Sequence, residues 1–170
     1  YGNLTRTFAY GEVDLSTGNT NTTTTDDIIT NVEYINDTAS GKWLIGFPKH
    51  TWTTNSTPTT VSESWSYYDG LAYGLIGTKG LVTSAEAGLV FTRGDASNPV
   101  TSTMYDSYGN ITRVTDARGN STTTTYDATY NMLPISITNA LGHTANTYYY
   151  RVNGAYIAVD LGGTCISGNC

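Results

Sequence analysis

The sequence predicts an all-β protein, an array of antiparallel β-hairpins, and three observations carry that prediction. A Tyr-Asp pair at Tyr105-Asp106 returns at Tyr126-Asp127, with Gly-Asn turns between, and a fixed period of about twenty residues marks a repeat architecture. Thr is the commonest residue and Tyr reaches 14, while Lys, Glu and Ala are sparse. Such a mixture penalises helix and suits pleated, half-solvated surfaces. The segments between glycines are short runs of Thr, Val, Ile and Tyr, bounded by Gly, Asn, Asp or Pro. Asn and Gly take the positive φ angles that tight hairpin turns require.

Taken in order, strand-like stretches fall at about 3–10, 28–36, 42–53, 60–68, 86–93, 100–106, 110–116, 121–127, 132–138 and 144–159. No window carries a 3.6-residue apolar stripe, and only Thr83–Leu89 could make a short helix. Residues 16–27 are almost wholly polar and read as an exposed loop or strand tip. Thr53 to Thr60, with Pro58, is a second polar connection. Between Asn36 and Asp69 lies the densest large-apolar content, in Trp43, Leu44, Ile45, Phe47 and Trp52. Aromatics of that size each bury on the order of 150–250 Å², so packing against the sheet is the first expectation. A sugar-stacking platform is the alternative, with Trp43, Trp52 and Trp65 as its residues.

In the C-terminal half the mechanics can be followed residue by residue. Ile111 to Thr115 forms a strand, Asp116 to Asn120 turns the chain, and Ser121 to Tyr126 returns antiparallel. Asp127 to Asn131 turns it again, Met132 to Thr138 runs out, and Asn139 to His143 matches the earlier turn before Thr144 to Tyr150 returns. In Leu133-Pro134-Ile135-Ser136-Ile137 apolar residues alternate with others, the period-two signature of a strand with one buried face. Pro134 has no N–H for a ladder bond, so it belongs at an edge or a bulge. The repeating tyrosines should stack across strands, each phenol with a polar partner. The Asp after each Tyr is placed to cap a turn by accepting backbone N–H groups two residues on.

The pattern Tyr-Asp, Gly-Asn, Asp-x-x-Gly, Thr, Tyr-Asp resembles the RHS repeat, also called the YD repeat. Tyr105, Asp106, Gly109, Asn110, Asp116, Gly119, Tyr126, Asp127 and Gly142 carry it. The match is clear from Tyr105 to about Tyr148 and looser at Tyr1–Tyr10 and Tyr67-Tyr68-Asp69-Gly70. Lys42 to Pro48 and Thr78-Lys79-Gly80 are similar to parts of the B component of ABC-type insecticidal toxin complexes. The resemblance implies a long β-strip spiralling into a hollow shell in bacterial secreted or cell-surface proteins, and in the best understood members the shell encloses a C-terminal toxin. Residues 1–150 are accordingly expected to be RHS/YD-repeat sheet, and 151–170 a tail of another kind. Tyr1-Gly2-Asn3-Leu4-Thr5 is similar to Tyr108-Gly109-Asn110-Ile111-Thr112, so the chain is expected to be a piece of something longer, beginning inside a repeat.

Composition narrows the function classes. Charged residues are 13% of the chain and the net charge is −6, with no two of the eight Lys and Arg adjacent. No basic stripe exists to neutralise phosphates, which argues against nucleic acid. No apolar run reaches the roughly 18–20 residues of a transmembrane helix, and a soluble segment is expected. Cys165 and Cys170, the two cysteines, admit a small disulfide loop or two unpaired thiols; the disulfide, slightly preferred, would imply an oxidising compartment. A zinc site is disfavoured because two ligands are missing.

Catalytic signals are sparse. His50 and His143 sit in no nucleophile or metal motif. His143 reads as a surface turn residue, and His50, beside Lys49, as an exposed strand residue. Asp26 and Asp27 are adjacent and would point to opposite faces of a strand, so they read as a solvated loop pair rather than a glycosidase or calcium site. Shells of this family often end in a self-cleaving region with an Asp-Pro core motif, and no Asp-Pro occurs here. The expectation is therefore a non-catalytic, cofactor-free and metal-free structural segment of an exported, secreted or cell-surface shell. Its partners would be neighbouring repeats of the same parent chain and an enclosed toxin polypeptide, with self-association of the isolated piece. The alternative is an extracellular adhesin recognising cell-surface carbohydrate.

Overall fold

The computed structural model describes residues 1–11, 16–18, 27–57, 59–152 and 155–159. The chain divides into two units, Tyr1–Thr101 and Ser102–Cys170. The first holds β1 (Arg6–Ala9), β2 (Ile28–Asp37), β3 (Leu44–Asn55), β4 (Thr60–Tyr68) and β5 (Val82–Ala87). The division falls within β6 (Val100–Tyr105). The second holds β7 (Ile111–Thr115), β8 (Ser121–Tyr126), β9 (Pro134–Thr138), β10 (Thr144–Asn146), β11 (Tyr148–Val152) and β12 (Ala155–Val159). The fold is all-β: β1 to β10 follow one another in sequence order in an open antiparallel sheet with β1 and β10 outermost, and β11 pairs with β12. From β6 to β10 short connections dictate such an order, because a tight turn can join only antiparallel neighbours.

The first unit carries the longer strands and the buried cluster. Ile35, Tyr68 and Ile76 are buried there, with Leu44, Phe47 and Val82 packed against them. Phe47 meets the Tyr68 ring edge-on at 5.5 Å, and the Tyr68 hydroxyl donates to the carbonyl of Pro48 at 2.7 Å. Each such side chain contributes about 1.5–3 kcal/mol by leaving water. β3 keeps Pro48 inside a strand because the β2–β3 register slips between Glu33 and Tyr34, and again between Ile35 and Asp37. A bulge absorbs a residue that cannot donate to the ladder.

The second unit is built differently, for no residue described between Ser102 and Tyr149 is fully buried. Cross-strand hydroxyl pairs line one face: Thr115 with Ser121 at 2.9 Å and Thr138 with Thr144 at 2.8 Å, joined by Arg113, whose guanidinium donates to the Ser121 hydroxyl. Cross-strand pairs of this kind are worth about 0.2–1 kcal/mol each. Pro134 opens β9 opposite Tyr126, where the β8–β9 register slips, as a residue without an N–H requires.

Four expectations are corrected. Thr83–Leu89 is not helical: Val82–Ala87 is strand β5. The strand expected at 86–93 is absent beyond Ala87, and residues 88–99 form a loop. The single strand expected at 144–159 is three strands, β10, β11 and β12. The buried face expected for β9 is open, with Ile135 37% and Ile137 46% exposed. Pro58, Asp26, Cys165 and Cys170 lie outside the described residues, as does most of the 16–27 loop.

Candidate functional site

The repeat signature is a set of locked turns. Asp106–Asn110, Asp116–Asn120 and Asn139–His143 share one construction. The N–H of the first residue donates to the carbonyl of the fifth at 3.0, 2.9 and 3.0 Å, and the glycine at the fourth donates back at 3.3, 3.0 and 3.0 Å. The first side chain closes the loop from within. Its Oδ1 accepts the N–H of the third residue (2.9, 2.8 and 3.0 Å) and of the fifth (2.9, 2.9 and 3.0 Å). The fourth position needs φ of +92°, +85° and +82°, which explains Gly109, Gly119 and Gly142.

Asn in the fifth position adds a further tie. Asn110 and Asn120 donate their amides back to Oδ2 of Asp106 and Asp116 at 2.8 and 3.0 Å. Asn110 also reaches the carbonyl of Asn131 at 2.5 Å, linking its turn to the one that starts at Asp127. The Asp127 turn is a longer version: Asp127 accepts Thr129 and Tyr130 on Oδ2 and Met132 and Leu133 on Oδ1.

The tyrosine has a place in the same construction. In Tyr68-Asp69, Tyr105-Asp106 and Tyr126-Asp127 the register slips immediately before the Tyr. Each Tyr therefore ends its strand at a bulge, and the Asp after it starts the lock. The Tyr126 hydroxyl donates to the carbonyl of Ile111 at 3.1 Å, and Tyr149 to that of Pro134 at 2.9 Å. Asp69, only loosely matched in sequence, is the largest example. Its Oδ2 accepts Gly77, Lys79 and Gly80 and its Oδ1 accepts Leu81, so one carboxylate organises residues 69–81.

These bonds set the acid-base behaviour. The Asn110 amide holds Asp106 below its usual value of 3.8, with backbone N–H groups adding to it, and the Asn120 amide does the same for Asp116. At Asp127 and Asp69 burial pushes upward, and the backbone N–H bonds outweigh it. A carboxylate lowered in the folded state adds stability above its unfolded value and loses it as pH falls through the folded one. Thermal melts of the chain should therefore be flat with respect to these groups from neutrality to about pH 5 and fall steeply below about pH 4. Asp116→Ala should lower the midpoint at pH 7 and leave it almost unchanged in strong acid, where the native carboxylate is already protonated. Equal losses at both pH values would contradict the turn-lock assignment.

A second polar cluster lies in the first unit. Glu86 and Asn98 are buried there, 3% and 5% exposed. Glu86 accepts Asn98 at 2.7 Å, Gly94 at 2.6 Å and the Tyr67 hydroxyl at 2.9 Å. Asn98 accepts Leu89 and Val90 and donates to the carbonyl of Thr92.

Of the tryptophans expected to form a platform, the structure brings together only two. Trp52 and Trp65 both stack on His50, at 4.5 and 5.5 Å, whereas Trp43 is 76% exposed and meets Tyr1. Trp65 is 4% exposed, which leaves it no open ring face. His50 departs from the exposed position expected of it: it is half-buried, and its Nε2 is 2.6 Å from Glu63. His143 is exposed in its turn, and Asp27 accepts the N–H of Gly11 at 3.0 Å. Sequence reasoning missed Glu33 and Glu63, whose places beside His50 depend on strand register, and Glu86 and Asn98, which meet across the 88–99 loop.

The strip and its turn locks define a structural repeat. Residues 105–144 match the family model described as RHS Repeat, a span that contains all four locked turns of the second unit. That family is a structural repeat and not a catalytic one. No curated protein matches the chain. Among the described residues, no helix is long and apolar enough to cross a membrane.

Proposed function

We propose that this chain is a wall segment of an RHS-type β-shell in an exported bacterial protein, with a C-terminal toxin or effector polypeptide as the enclosed cargo. One observation carries the wall role: the family match at 105–144 coincides with a run of hairpins whose Asp or Asn side chains lock every turn. Turns closed by their own side chains let short strands follow one another without a deep core, which suits a lining better than a pocket. Toxin enclosure and export follow from the family resemblance of those residues. The relation to the B component of insecticidal toxin complexes belongs to the same proposal.

The test follows from the sheet edges. β1 and β10 are its outer strands, and an outer strand presents unpaired N–H and C=O groups that another strand can take up. Sedimentation of the purified chain should show concentration-dependent self-association that weakens when Pro replaces Phe8 in β1 or Asn146 in β10, positions whose N–H groups point away from the neighbouring strand. A monodisperse monomer with a cooperative melt would count against the wall role.

A further inference from the structure

Beside the edge of the first unit lies a cleft of about 560 Å³ whose lining includes Arg6, Asn31, Glu33, Tyr34, Lys49 and Trp52. Strand register explains its chemistry. Arg6 pairs with Asn31 across β1 and β2, and Asn31 pairs with Trp52 across β2 and β3. A guanidinium, an amide and an indole thus stand in one cross-strand row. At about 4.8 Å between strands the row is roughly 10 Å long, the length of two linked pyranose rings.

Each member of the row is equipped for a sugar. Trp52 stacks on His50, which fixes the indole while it lines the cleft, and a pyranose presents an apolar C–H face to such a ring. Asn31 offers both a donor and an acceptor to hydroxyl groups. The charges then set the class of sugar. Lys49 lies 3.4 Å from Glu33 and is neutralised there. Arg6 lies over the Phe8 ring at 4.6 Å and makes no ion pair among the described residues. An exposed guanidinium without a carboxylate is matched in shape and charge by one.

We infer that this cleft binds an acidic saccharide, with a sugar ring on Trp52 and a uronate carboxylate on Arg6. A wall segment with or without cargo can carry such a site, so its fate is separate from that of the shell.

The test is calorimetric titration of the full chain with a hyaluronan hexasaccharide, whose uronates alternate with neutral sugars, and with the neutral cellohexaose. The hyaluronan hexamer should bind, quench tryptophan fluorescence and weaken with added salt, while cellohexaose should bind about tenfold or more weakly. Arg6→Gln, a change at an exposed strand position, should remove the difference between the two, and Asn31→Ala should weaken both. Equal binding of the two sugars, no binding of either at millimolar concentration, or affinities untouched by Arg6→Gln would each overturn the assignment.

Discussion

Asn98→Ala should destabilise the Tyr1–Thr101 unit by about 3–4 kcal/mol, the largest effect expected of a single polar substitution among the described residues. The side chain is 5% exposed and makes four hydrogen bonds: two from the N–H groups of Leu89 and Val90, one to the carbonyl of Thr92 and one to Glu86. Alanine removes all four partners at once, and the groups left behind have little access to water. Glu86 suffers most. Its burial already pushes its proton affinity up, and the Asn98 amide is the largest of the bonds that keep it below the usual glutamate value. Urea melts would give the loss, and amide exchange should show residues 88–99 opening together. A loss below about 1 kcal/mol would mean that the loop is held by something other than this amide.

The second large effect is expected at Asp69. Asp69→Ala strips the acceptor from the N–H groups of Gly77, Lys79, Gly80 and Leu81. Several of these are partly buried, and the cost should be about 3 kcal/mol. Asp69→Asn keeps one acceptor oxygen, which can serve the three N–H groups now on Oδ2, but turns an amide donor toward the Leu81 N–H, so it should recover only part of the loss. The loop matters to the core because Gly80, at φ +69°, lies directly against the Phe47 ring. If the loop opens, Phe47 loses its cover and the Tyr68 cluster loosens with it. Near-ultraviolet circular dichroism of the variant should weaken before far-ultraviolet signal does. An unchanged near-ultraviolet spectrum would separate the loop from the core and contradict the coupling.

The hairpins of the second unit were legible in the sequence because their signals are local. A glycine forced to positive φ, and an Asp whose own side chain closes the turn, do not depend on distant partners. The same locality explains why Pro134 could be placed at a bulge. What could not be read depends on side chains meeting across strands. Leu89-Val90-Phe91 looks like strand, yet Asn98 and Glu86 satisfy its loop from positions up to nine residues away. His50 reads as exposed until the β3–β4 pairing brings it against Trp65 and Glu63. Alternation in β9 signals a face suited to burial, but pattern alone does not supply the layer that covers it, and Ile135 and Ile137 remain open.

The central claim is that this chain lines a shell, and electron microscopy of the longest natural product carrying it, run beside a denaturing gel, tests that claim most directly. A closed hollow particle whose wall contains this segment, with a separable C-terminal fragment on the gel, is the predicted result. An open rod or filament with no released fragment would contradict it.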